Sequence, residues 1–174
     1  LPRAPLRLLL AEDNPVNREM ALALLTGLGH LVEIMTDGHS VLAALERDCF
    51  DVVLMDLQMP RLDGLETARE IRRREQARSA RGEVVRPVQI IAVTAHAMQG
   101  DREICLAAGM NDYVAKPIRR RELLAAMHRL FPAGPRTATF DQVRLRRETR
   151  GEMQLVQRLA AAYFQQVPEL RQSL

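Results

Sequence analysis

Lysine is almost absent from this 174-residue chain: of its 25 basic residues, 24 are arginines and one, Lys116, is a lysine. A sequence so biased toward arginine has lost lysine wherever either residue would serve. An ammonium is a compact point charge and a guanidinium a broad planar fork, so the surviving lysine marks a site that accepts only the first. Cysteine is scarce as well. Cys49 and Cys105 stand far apart, which excludes a cysteine-based metal or redox motif and fits small buried side chains in a reducing compartment. No apolar run approaches the ~20 residues that span a bilayer, and the opening residues do not read as a signal peptide. A cytoplasmic location, with no membrane contact from this stretch, is expected. No glycine-rich phosphate loop follows any apolar run, which argues against a nucleotide-binding module.

What is present is ordinary for a globular protein, with 47% hydrophobic and 27% charged residues. The length suits one domain of average size with an appendage, or two small domains. Leu1-Pro2-Arg3-Ala4-Pro5 reads as the end of a linker, so the chain is expected to be a piece of a longer protein. The formal charge of +3 is unevenly spread: residues 1–131 hold 18 basic and 18 acidic side chains, and residues 132–174 hold 7 and 4. The run from Arg69 to Arg86 sets seven arginines against Glu70, Glu75 and Glu83. No nucleic-acid reading motif accompanies it, so a solvated helix face is expected and nucleic acid is not an expected partner.

The first 131 residues alternate short apolar runs with helix-period segments. Leu6–Ala11, Leu31–Met35, Val52–Met55, Val88–Val93 and Tyr113–Ala115 read as strands, and near-continuous apolarity suggests strands covered on both faces. Helices are expected at roughly 15–28, 38–48, 64–77, 99–108 and 119–130. The first is well signalled: Asp13 or Asn14 can cap it, Pro15 suits its first turn, and Gly27 and Gly29 lie at its far end. Ala77 to Pro87 reads as an irregular, Arg-rich connection. Five strand–helix repeats imply an α/β fold, a parallel sheet with right-handed crossovers and helices on both faces. Ligands in such sheets bind beyond the carboxyl ends of the strands, where strand order reverses.

Four candidate sites end four strands. Glu12 and Asp13 follow the first, Asp56 the third, Thr94 and Ala95 the fourth, and Lys116 the fifth. In the order 2-1-3-4-5 they converge on one rim. Three carboxylates there would raise one another's pKa unless a cation joins them, and all-oxygen ligands suit Mg²⁺, with Mn²⁺ as the alternative. Asp56 is the candidate nucleophile, since carboxylate attack on phosphorus gives an acyl phosphate. Asp13 is expected to bind the metal directly and Glu12 through a metal-bound water. Lys116 supplies positive charge on the opposite side, and the Thr94 hydroxyl and Ala95 backbone N–H each donate to a phosphoryl oxygen. Singly these signals are weak, because an Asp after a strand is as often a helix cap. Together and in this order they point to phosphoryl transfer.

The stretches Leu9-Leu10-Ala11-Glu12-Asp13-Asn14-Pro15-Val16-Asn17, Asp56-Leu57-Gln58-Met59-Pro60-Arg61-Leu62-Asp63-Gly64, Thr94-Ala95-His96-Ala97-Met98 and Tyr113-Val114-Ala115-Lys116-Pro117-Ile118 resemble receiver domains of two-component systems, most of all those fused to hybrid histidine kinases. The resemblance covers about residues 6–131. It implies a flavodoxin-like (βα)5 doubly wound parallel sheet of order 2-1-3-4-5. It also implies a phosphoacceptor at Asp56 charged by a histidine kinase domain or a histidine phosphotransfer domain, and a parent protein that is a histidine kinase. It adds the Gln58 backbone carbonyl to the metal ligands, and a switch in which Thr94 moves toward the phosphoryl group and Tyr113 turns inward behind it. Gln58 and His96 would flank the line of water attack and set phosphoryl lifetime. Whether phosphate is relayed onward or drained stays open.

Phe131-Pro132-Ala133-Gly134-Pro135 reads as a boundary, with residues 132–139 a linker. Beyond it, Phe140-Asp141, Gly151-Glu152-Met153 and Phe164-Gln165-Gln166-Val167-Pro168-Glu169-Leu170 resemble the opening of a histidine phosphotransfer domain, so residues 140–174 read as a helical segment of a truncated one. The phosphorylatable histidine of that family is not reached by Leu174, and His128 falls on the last receiver helix. Met153, Val156, Leu159, Phe164, Val167 and Leu170 form an apolar stripe. Such a stripe is expected to be mobile, docked on the receiver, or paired in a homodimer. Haloacid-dehalogenase-type phosphatases carry a second Asp two residues past the nucleophile, where this chain has Gln58. Nothing after Pro135 reads as helix-turn-helix. A scaffold receiver that acts without phosphorylation is the remaining alternative.

Overall fold

The computed structural model describes residues 5–95 and 99–131. Ten elements alternate through them: β1 (Arg7–Ala11), α1 (Pro15–Gly27), β2 (Leu31–Met35), α2 (Gly38–Arg47), β3 (Val52–Asp56), α3 (Gly64–Ala80), β4 (Gln89–Thr94), α4 (Gln99–Ala107), β5 (Asp112–Ala115) and α5 (Arg120–Leu130). The strands form one parallel sheet of order β2-β1-β3-β4-β5. The flavodoxin-like arrangement expected from the sequence is therefore the one observed. Strand order reverses between β1 and β3, which opens a crevice at their carboxyl ends.

The period-2 geometry of strands divides the apolar residues between two cores. Leu9, Ala11, Val53, Met55, Ile90 and Ala92 face α2, α3 and α4 and pack with Val41, Ala68, Ile71 and Cys105. Leu8, Leu10, Val52, Leu54, Ile91 and Val93 face the opposite way and pack with Ala21 and Leu25 of α1 and Leu123 and Met127 of α5. All five residues of β3 are buried, as a central parallel strand covered on both faces requires.

Helix starts follow local chemistry. Asn14, not Asp13, caps α1: its side chain accepts the Val16 and Asn17 N–H groups at 3.0 and 3.2 Å, with Pro15 in the first turn. Asp37 caps α2 and Asp63 caps α3. The third helix is longer than the sequence suggested. It runs to Ala80, so the irregular connection begins at Arg81 rather than Ala77. Gln76 to Ala80 contains no helix breaker, and the Arg78 and Arg81 side chains meet Glu83 just beyond the end. Among the described residues, no helix is long and apolar enough to cross a membrane. His96 and the whole stretch from residue 132 onward, including the apolar stripe, lie outside the described residues.

Candidate phosphoryl-transfer site

The carboxyl ends of β1, β3, β4 and β5 deliver the expected residues to one rim. Asp56 is the last residue of β3 and Thr94 the last of β4, with the Leu57 N–H donating to the Val93 carbonyl at 3.3 Å. The Lys116 N–H donates to the Thr94 carbonyl at 2.7 Å, which extends the β4–β5 pairing by one step and aims the lysine back over the rim. Asp56, Glu12 and Thr94 are buried, at 3%, 3% and 6% exposure, while Asp13 and Ala95 are exposed.

Lys116 bridges two of the carboxylates. Its Nζ lies 2.6 Å from Asp56 Oδ2 and 2.9 Å from Glu12 Oε2. The other oxygens are also engaged. Asp56 Oδ1 accepts the Gln58 N–H at 3.1 Å, and Glu12 Oε1 accepts the Asn14 N–H and the Asn17 side-chain amide at 3.2 and 3.3 Å. One oxygen each of Glu12, Asp13 and Asp56 lies within 4.8 Å of the others. Because Asn14 takes the capping role, the Asp13 carboxylate is not needed to start α1.

Burial pushes the Asp56 carboxyl above the ordinary range, and the neighbouring Glu12 charge adds to this, while the bonds from Lys116 and the Gln58 N–H oppose it. Burial works against the Lys116 charge, but its bonds to Asp56 and Glu12 outweigh that and raise its pKa. Three carboxylates against one ammonium leave two formal negative charges, which suits a divalent cation held by oxygen.

Two residues supporting the site carried no role in the sequence reading. Asn17, five positions after Glu12, steadies that carboxylate from the first turn of α1; Glu12 precedes the helix, so no periodicity in the sequence points to the pair. Gly64 lets α3 begin directly against β3, since a Cβ there would stand 2.2 Å from the Asp56 carbonyl oxygen. Tyr113, the expected switch residue, is half-buried on β5 beside Ala92 and packs against the core under α2, α3 and α4.

Comparisons with known proteins agree with this architecture. Residues 8–128 match the family model described as response regulator receiver domain. The sensor histidine kinase GacS of Pseudomonas protegens is 40% identical over 121 residues, covering 70% of this chain and 12% of that protein. The chain thus spans about an eighth of the length of that curated relative. The receiver domain of the sensor histidine kinase PA1611 from Pseudomonas aeruginosa PAO1, crystallised with a magnesium ion coordinated in the active site cleft, shares 47% identity. It covers 72% of this chain and 97% of its own, with a TM-score of 0.61. The receiver of Saccharomyces cerevisiae Ssk1, in a co-crystal with the histidine phosphotransfer protein Ypd1, shares 28% identity, covers 71% of this chain and 87% of its own, and has a TM-score of 0.66. A family match across most of the chain, joined to this fold and rim, places the protein among the response regulator receiver domains.

Proposed function

We propose that residues 6–131 are a phosphoacceptor receiver in a two-component phosphorelay, with Asp56 taking a phosphoryl group from a phosphohistidine. The observation that carries this reading is the chain's only lysine, seated 2.6 Å from Asp56 and 2.9 Å from Glu12 at the crevice of the sheet. An Asp56 oxygen attacks phosphorus, the phosphorus–nitrogen bond breaks, and the donor imidazole leaves with the electron pair. Lys116, freed from part of its hold on Asp56, pairs with a phosphoryl oxygen instead. The Thr94 hydroxyl and Ala95 N–H donate to the remaining oxygens, and Thr94 and Tyr113 pass the change to the α4–β5 face.

Glu12, Asp13 and Asp56, with the Gln58 backbone carbonyl, would hold Mg²⁺. The oxygen-only donor set and its residual negative charge fit that ion. Once bound, it offsets charge on the transferring phosphoryl group. The magnesium in the cleft of the PA1611 receiver supports this assignment. The Ypd1–Ssk1 co-crystal supports a histidine phosphotransfer domain as partner, and GacS supports a histidine kinase domain. Within the parent protein, residues 132–139 act as a linker, residues 140–174 open a phosphotransfer domain, and the receiver works in the cytoplasm.

Intact mass after incubation with acetyl phosphate, with and without Mg²⁺, tests the reading on wild type and Asp56→Asn. One added phosphoryl group that requires Mg²⁺ and is missing from the variant is expected. A folded wild-type protein that gains no mass under any condition would instead favour a scaffold that works by binding alone.

A further inference from the structure

The loop from Leu57 to Asp63 links the phosphoacceptor strand to α3, and its bend is unusual. Arg61 has φ of 69°, and the Leu62 N–H donates to the Pro60 carbonyl at 2.8 Å. A bond spanning two residues around a positive φ is the strained form of γ-turn. A side chain with a Cβ pays a steric cost in that region, which glycine does not.

A buried anion holds Arg61 there. Its guanidinium pairs with Asp37 Oδ2, and Asp37 is 3% exposed. The same carboxylate is already fixed as the cap of α2, accepting the Ser40 N–H at 3.0 Å and the Ser40 hydroxyl at 2.7 Å. The Ser40 hydroxyl, and after it the Ser40 N–H and Arg61, hold the Asp37 carboxyl below its usual range against the effect of burial. Next to it, a Cβ on Gly38 would meet the Leu62 carbonyl oxygen at 2.8 Å and Thr67 Oγ1 at 2.0 Å. The β2–α2 turn therefore rests directly on the β3–α3 loop. At the near end of that loop the Gln58 N–H donates to Asp56 Oδ1 at 3.1 Å, and the Gly64 N–H closes onto the Leu57 carbonyl at 3.0 Å.

We propose that Asp37 and Arg61 form a positioning pair: the buried Asp37 carboxylate holds Arg61 in the strained turn, and the turn fixes the Gln58 peptide against the Asp56 side of the carboxylate cluster. Neither residue touches the reacting atoms; the pair acts through Gln58. This rests on reading Glu12, Asp13 and Asp56 as a divalent-cation site. It assigns the α2 end of the rim a part in metal binding although it supplies no ligand.

The test is Mg²⁺ titration calorimetry on the 174-residue protein, with thermal melts confirming that each variant is folded. Arg61→Ala and Asp37→Asn should each weaken Mg²⁺ binding roughly tenfold, as loss of a residue supporting a metal ligand does. Arg61→Gly should stay within about twofold of wild type, because glycine adopts the positive φ unaided. Asp37→Asn added to Arg61→Gly should then change nothing more. In acetyl phosphate labelling, the loss should fall on the Mg²⁺ concentration giving half-maximal rate and spare the rate at saturation. Equal Mg²⁺ affinity in wild type, Arg61→Ala and Asp37→Asn overturns the pair while leaving the cation site standing. Arg61→Gly as weak as Arg61→Ala also overturns it, since the guanidinium and not the turn would then matter. A wild-type protein that takes up no Mg²⁺ overturns the cation site itself, and the pair with it.

Discussion

Asp56 sits in surroundings that disfavour its charged form and so cost the folded state stability. Burial and the Glu12 charge make its carboxyl easier to protonate in the folded state than in the unfolded chain. Between those two pKa values the folded state binds more protons, so stability falls as pH rises through that window, and the cost is complete above the raised folded value. Asp56→Asn removes the charge and leaves Lys116 its partner Glu12. The variant should be more stable than wild type at pH 7 by roughly 1 kcal/mol, the usual gain on relieving a functional site. Thermal melts should show that gain shrinking as pH drops toward the ordinary carboxylate range. A variant no more stable than wild type at pH 7 would mean that the Lys116 bond outweighs burial.

At the scale of elements, the start of α3 is set by contact with β3. A methyl group at Gly64 would collide with the Asp56 carbonyl, which is backbone and cannot rotate away. Gly64→Ala should therefore cost about 2 kcal/mol of stability, in the range of overpacked sites. It should also slow acetyl phosphate labelling more than Asn14→Ala, which loosens α1 without moving β3. Equal labelling rates in the two variants would remove the link between the α3 start and β3.

Elements were legible in the sequence wherever the signal was local. Asn14-Pro15 announced α1, and the apolar run Val52–Met55 announced the central strand within one residue. The end of α3 was less legible, because the Arg-rich residues before Arg81 suit a helix face and a loop equally well. The rim residues could be read because each follows a strand. The supporting contacts could not. Arg61 and Asp37 lie 24 residues apart. Arg72, which ties α3 to the turn after α4, reaches 37 residues to the Gly109 carbonyl and 39 to the Asn111 side chain. Partners so distant are chosen by the fold, and nothing in either local sequence names the other.

For the molecule as a whole, acid sensitivity should arise at the end of the sheet away from the rim. His30 is 6% exposed; its Nδ1 accepts the Leu6 N–H at 3.3 Å, and among the described residues its Nε2 has no partner. Burial holds its pKa below the ordinary value, with Asp51 working against it. The unfolded chain then binds the proton more readily, so stability is complete above about pH 6.5 and is lost as pH falls through the lowered folded value. Protonation would also put a second N–H where Leu6 needs an acceptor. The denaturant midpoint should decline between pH 7 and 5. His30→Asn, whose amide oxygen can replace Nδ1, should show a smaller decline. Parallel curves for the two proteins would assign the loss to other groups.

The lysine that bridges Glu12 and Asp56 is also the chain's only ε-amine. An amine-acylating reagent has one side-chain target, told apart from a terminal amine by peptide mapping, and that target is protonated and shielded while both carboxylates hold it. Its acylation rate reads the state of the cleft without a fluorophore, an isotope or a mutation, so the arginine bias of the surface has left the protein with a built-in chemical reporter of its own centre.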